Sequence, residues 1–249
     1  MKKIDPADLI PFDIFLDKEP IAIDLVYANA DHPRNIFDTA LYLPSARLWG
    51  HKDIAAITLL AARQLNKTYG YILEVQDCLR TSDAQQAMQE TDIVKAHPQW
   101  CENGPNRLLA PPGHGGHPRG MAIDVRVLDT NSEEVDMGTP FDHMEPSSAR
   151  NYDGFSEEIL TNRKILEEAF MSSANALGFA FLPLPAEWWD FRFPTDYYNQ
   201  YAPLSDADLP PQMQMTKQTA NVAADFDKAH FERLADTVLH LVDQKDANL

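Results

Sequence analysis

The alternation of apolar and polar positions divides the chain into short strands separated by a few longer helices. Residues 53–65 carry Ile54, Ile57, Leu60, Ala61 and Leu65 at helical spacing, and Gly70 stands where such a helix closes in a left-handed residue. The next run, Tyr71 to Asp77, is rich in β-formers and predicts a strand leading straight to Arg80. Ser82 to Gln85 has the pattern of a capping box opening a second helix. The clearest strand spans Gly120 to Val127. There Met121, Ile123, Val125 and Val127 alternate with Ala122, Asp124 and Arg126, which puts Asp124 on the face opposite the apolar one. Ile159, Leu160, Leu166, Phe170, Ala174 and Leu177 predict a long helix from Ser156 to Leu177, ended by Gly178, with a strand from Phe179 to Leu182 behind it. Ile21 to Tyr27 predicts one short strand in an irregular N-terminal segment. Residues 96–116, loaded with Pro, Gly and Asn, read as a loop.

Strands and helices in this order predict an α+β fold, a single domain with a central antiparallel sheet flanked by helices over residues 1–202. Pro203, Pro210 and Pro211 then mark a linker. Residues 203–249 end in an amphipathic helix, Ala224 to Gln244, whose Phe231, Leu234, Val238, Leu241 and Val242 form one stripe. That stripe has two destinations open to it: back onto the domain, or against a second subunit in a homo-oligomer.

Composition narrows the partners. With 249 residues, 44% of them apolar, the chain can bury one substantial core. Its 21 basic and 38 acidic residues give a net charge of −17 with no Lys or Arg run, so nucleic acid is not an expected partner. No stretch is long and apolar enough to span a bilayer, and no signal-peptide core follows the first residues, so no membrane association and a cytoplasmic location are expected. Cys78 and Cys101 form no CxxC pair and no disulfide framework, which agrees with a reducing compartment.

Two segments carry chemistry: His117-Pro-Arg-Gly-Met-Ala-Ile-Asp124 and Glu187-Trp-Trp-Asp190. A catalytic metal site needs about three protein ligands, an open position and a base beside it. His117, Asp124 and Asp190 can supply the ligands and Glu187 the base. Each residue alone has a plainer reading: a histidine in a Gly/Pro loop is usually solvated, Asp124 can end a strand, and the two tryptophans read as core that locks Glu187 and Asp190 in place. The conjunction points to metal-assisted hydrolysis.

These two segments, with Met137-Gly-Thr-Pro-Phe-Asp142 between them and Asp77-Cys-Leu-Arg80 upstream, resemble the D-alanyl-D-alanine dipeptidases of the VanX type, zinc enzymes related to D-Ala-D-Ala carboxypeptidases. The resemblance runs in matching order over roughly residues 20 to 200. It implies that His117 and Asp124 hold one zinc ion, that Glu187 is the general base, and that Arg80 steadies the oxygen of the tetrahedral intermediate. Asp142 matches the acid that holds the free ammonium group of a D-amino-acid dipeptide. The family's serine two residues before the zinc histidine is Gly115 here.

The family's third ligand is a histidine three residues after the glutamate, and here that position is Asp190. An aspartate is an acceptable but harder ligand, which admits Mn or Fe beside Zn; His114 is a second candidate in its place. Three activities follow: hydrolysis of D-alanyl-D-alanine or a similar small dipeptide, trimming of a peptidoglycan stem peptide by a carboxypeptidase, or metal-free binding on the same fold.

Overall fold

The computed structural model describes residues 1–102, 108–217 and 227–247. The chain begins with β1 (Leu9–Pro11) and β2 (Ile21–Ile23), and β3 (Trp49–His51) then runs directly into α1 (Lys52–Tyr69). After β4 (Ile72–Asp77) come the short helices α2 (Ser82–Gln89) and α3 (Asp92–Ala96), then β5 (Ala122–Leu128) and α4 (Glu157–Leu177). β6 (Leu182–Pro183), β7 (Asp190–Arg192), α5 (Thr195–Tyr198) and α6 (Lys228–Asp246) complete it.

The main sheet has the order β2-β4-β5-β7-β6, and β1 pairs separately with β3. The expected α+β class holds, but the sheet is mixed: β4, β5, β7 and β6 are antiparallel neighbours, whereas β2 lies parallel to β4. The chain between β2 and β4 includes α1, a crossover that returns it in the same direction. β2 also stops earlier than expected, because Asp24 pairs with His32 and Arg34 and Val26–Ala28 turns into a 3-10 helix. Of the strand expected over Phe179 to Leu182, only Leu182 pairs; Phe181 instead packs against Phe170 and Phe193.

α1 is the centre of the core. Besides the predicted face, Ala55, Ala56 and Leu59 are buried, because α4 and α6 both pack on it. Gly70 and Gly178 end α1 and α4 at φ 73° and 81°, as their positions predict. The stripe on α6 lands on this same chain: Phe231, Ala235, Val238 and Val242 are buried, Phe231 meets Trp49 edge-on at 5.3 Å, and Arg63 of α1 pairs with Asp243. Ala224 to Phe226, where the helix was expected to begin, lie outside the described residues. Among the described residues no helix is long and apolar enough to cross a membrane, and both cysteines are free thiols.

α2 is capped one residue earlier than the sequence suggests. The Thr81 hydroxyl accepts from the Ala84 amide, and Gln85, released from a capping box, accepts from the Gly113 amide and donates to the His114 carbonyl. Gln85 thus ties down the loop that leads to His117. That loop ends at Gly120, with φ 59°, where an added Cβ would come within 3.0 Å of the His51 nitrogen while the Gly120 carbonyl accepts that same amide proton. Gly120→Ala is expected to cost about 1–3 kcal/mol through the left-handed backbone and this close approach. An unchanged midpoint in chemical denaturation would contradict it.

Candidate active site

Three carboxylates stand in one row across neighbouring strands. Asp77 at the end of β4 aligns with Asp124 of β5 after a register shift between Val75 and Asp77, and Asp124 aligns with Asp190 of β7. All three are buried, at 0%, 2% and 1% exposure. Strands sit only about 4.8 Å apart, so such a row needs cations beside it. Arg80 supplies one, donating to Asp77 Oδ2 at 2.7 Å and to Asp124 Oδ2 at 3.1 Å. Arg192 supplies another, with Nε 2.7 Å from Asp190 Oδ1 and Nη2 donating to Oδ2.

His117 stands over this row on a one-turn 3-10 helix, His117–Arg119, and is buried. Its Nδ1 lies 2.8 Å from the Cys78 carbonyl, which can only accept, so Nδ1 carries a proton. Nε2 therefore faces the carboxylates, 3.3 Å from Asp190 Oδ2 and 3.5 Å from Asp124 Oδ2. Burial favours the neutral ring, but the Asp124 charge and the hydrogen bonds to Asp124 and Asp190 outweigh it and push the His117 pKa up to about 10. Asp190 is opposed by burial too, yet Arg192 and His117 hold its carboxyl well below the usual range.

Glu187 sits on the loop between β6 and β7, and that loop is fastened at both ends. Arg150 donates to the Leu184 carbonyl at 2.9 Å and to the Asp190 carbonyl at 2.9 Å. Between them the Trp188 amide donates to Ser148 O at 3.1 Å and its indole to Thr139 Oγ1 at 2.9 Å. Trp188 and Trp189 are buried, as their reading as core requires. Burial first, then the like charges of Asp190 and Asp124, push the Glu187 carboxyl up to about 8.

Asp142 forms the other side, at φ 55°, a left-handed backbone that a non-glycine residue rarely adopts. Tyr27 donates its hydroxyl to Asp142 Oδ2, and its ring lies 5.4 Å from the Arg80 guanidinium. Burial pushes the Asp142 carboxyl up to about 7, with Arg80 pulling the other way.

The structure thus brings His117, Asp124, Asp190, Glu187, Arg80 and Asp142 to one cavity of about 180 Å³. His114 lines the same cavity but is exposed. Leu108, Met144 and Ala186 are shared with a neighbouring cleft of about 650 Å³. Sequence reasoning passed over Tyr27, Arg150 and Arg192. The last had a signal, since a residue two places after Asp190 on a strand shares its face.

The donor set fits a divalent metal. Asp124 Oδ1 is buried without a hydrogen-bond partner among the described residues, and a histidine fixed through Nδ1 so that Nε2 points at carboxylates is oriented as a ligating imidazole is, an ion taking the place of the Nε2 proton. Carboxylate or imidazole atoms of Asp77, His117 and Asp124 lie within 4.8 Å of one another, as do those of Asp124, Glu187 and Asp190. Asp77 already accepts from Tyr42, Cys78 and Arg80, and Asp190 from Arg192 and His117, which leaves Asp124 the carboxylate with an oxygen to spare.

Side chains able to hold a metal, a carboxyl raised by burial and half-buried arginines around one small cavity make up the kind of site that hydrolytic metalloenzymes use. Comparison with known proteins specifies it: the chain belongs to the M15 peptidase family described as D-ala-D-ala dipeptidase, which it matches over residues 10–206. It is 32% identical to the D-alanyl-D-alanine dipeptidase of Escherichia coli (strain K12) over 182 residues, 73% of this chain and 81% of that protein. A D-alanyl-D-alanine dipeptidase of Synechocystis is also 32% identical, over 37% of this chain and 38% of its own.

Proposed function

We propose that this protein is a metal-dependent dipeptidase of the cytoplasm that cleaves D-alanyl-D-alanine or a similar small dipeptide. The observation that carries the reading is the joint placement of His117 Nε2, turned toward the carboxylates, and the unpartnered Asp124 Oδ1 with Asp190, Glu187, Arg80 and Asp142 around one small cavity. His117, Asp124 and Asp190 would hold one ion, zinc or, with two hard oxygen ligands, manganese or iron. When bound, the ion supplies Lewis acidity to the scissile carbonyl and the attacking water.

The chain's own residues do the rest. Asp142 takes the substrate ammonium, which orients the dipeptide and rejects blocked substrates. Glu187 accepts a proton from the attacking water and returns it to the leaving amine, a task helped by the burial that raises its carboxyl above the ordinary range. Arg80, held rigid by Asp77 and Asp124, places its charge where the carbonyl oxygen turns negative. A cavity of about 180 Å³ is small beside the roughly 300–1,000 Å³ of most ligand pockets and suits a dipeptide better than a stem peptide. One observation favours the metal-free binding reading instead: Arg192 already takes both oxygens of Asp190.

Elemental analysis of the purified protein with an assay on free and N-acetylated D-alanyl-D-alanine tests the reading. One ion per chain and hydrolysis of the free dipeptide alone are expected, whereas absence of bound metal or equal turnover of the blocked dipeptide would refute it. Asp142 must be ionised to hold an ammonium group, so kcat/KM should fall as pH drops through about 7 or below. Asp142→Asn should raise KM about ten- to hundredfold, the worth of a charge-assisted hydrogen bond, and remove one of the two ionisations, its own and that of Glu187, from the acid limb. An unaltered pH profile in Asp142→Asn would remove the residue from substrate binding.

A further inference from the structure

Arg192 is a cation of the site to which the mechanism above gives no task. It follows Asp190 by two residues on β7, so both side chains leave the same face of the strand, and its neighbour on β5 is Ala122, whose methyl leaves room for a guanidinium beside the cavity. Nε and Nη2 take one oxygen each of Asp190, the fork pairing that Arg makes with carboxylates. Asp190 Oδ2 is also the oxygen 3.3 Å from His117 Nε2. The carboxylate that faces His117 Nε2 is therefore already bound to a full positive charge.

His117, Asp124 and an unpaired Asp190 would present two negative charges to a divalent ion. With Arg192 included, the Asp190 contribution cancels and the set presents one, the charge of two imidazoles and one carboxylate. In a buried site a unit charge a few ångströms away changes ion affinity by orders of magnitude even after screening. We propose that Asp190 and Arg192 act as one charge-neutral ligand unit, Arg192 being the positioning residue that sets how tightly the site holds a divalent ion and which ion it prefers. This rests on the metal-site reading above, and it makes the two residues interdependent: neither an aspartate without the arginine nor an arginine without the aspartate gives the same site.

The test is a double-mutant cycle read by metal affinity. Full-length wild type, Arg192→Met, Asp190→His and the double variant are stripped with chelator and titrated with Zn²⁺ and with Mn²⁺ against a chromogenic chelator, thermal unfolding reporting that each is folded. Arg192→Met, which frees the Asp190 charge, is expected to bind Mn²⁺ at least about tenfold more tightly. Asp190→His leaves the guanidinium uncompensated and is expected to bind Zn²⁺ at least about tenfold more weakly than wild type, with affinity restored when Arg192→Met is added. Arg192→Lys, which keeps the charge but not the fork, should stay closer to wild type than Arg192→Met does, and Arg192→Gln, neutral like Met, takes its place should Arg192→Met fail to fold. Additive effects around the cycle in a metal-binding wild type would overturn the unit and leave the function standing. So would loss of metal in Arg192→Met as complete as in Asp190→Ala, since geometry alone would then explain the pair. A wild type that binds neither ion overturns the function and this inference together.

Discussion

Replacing Glu187 by Gln is expected to lower hydrolysis of D-alanyl-D-alanine by about two to four orders of magnitude while metal content stays at the wild-type level. The amide keeps the size of the carboxyl and its place on the loop fastened by Arg150 and Trp188, but it cannot accept a proton. Metal content decides between two roles for this residue. Glu187 lies close enough to Asp124 and Asp190 to be a ligand with them, and in that role Glu187→Gln would lose the ion along with the activity. Retained metal with near-normal turnover would remove it from both.

Loss of His117 should be the larger blow to metal binding, at least about a hundredfold in affinity, since second-sphere losses alone reach ten- to hundredfold. A solvated loop histidine could be cut to Ala without unfolding the domain; in the structure His117, Pro118 and Arg119 are all buried, and the ring is bonded to the Cys78 carbonyl. Removing the ring leaves that buried acceptor unpaired, at about 1–3 kcal/mol. His117→Asn is the better probe, because its amide nitrogen can still donate to Cys78 while nothing replaces Nε2. Folded His117→Asn that keeps full metal occupancy would exclude the histidine as a ligand.

What the sequence makes legible here is local. The 3.6-residue spacing in α1 and α4, the alternation along β5 and the two left-handed glycines are set by neighbours a few positions away, and they appear where the pattern puts them. The candidate residues share motifs, and the structure brings them to one cavity. Their arrangement is not legible in the sequence, because it depends on register: the alignment of Asp77, Asp124 and Asp190 exists only once β4, β5 and β7 are paired. Tyr27 reaches Asp142 across 115 positions, which no spacing rule anticipates. The parallel pairing of β2 is likewise a matter of topology. On sequence alone, Asp190→His reads as a simple restoration of an imidazole. With Arg192 in view it strands a cation.

The clamp on the Glu187 loop bears on how substrate enters and products leave. One guanidinium holds the carbonyls at both ends of the loop, and Trp188 is pinned between Ser148 and Thr139. That wall has little freedom to swing aside. The small cavity meets the broad cleft next to it at Leu108, Met144 and Ala186, which border both. The fastened loop therefore forms one jamb of that passage, and a substrate coming from the cleft passes directly by Glu187.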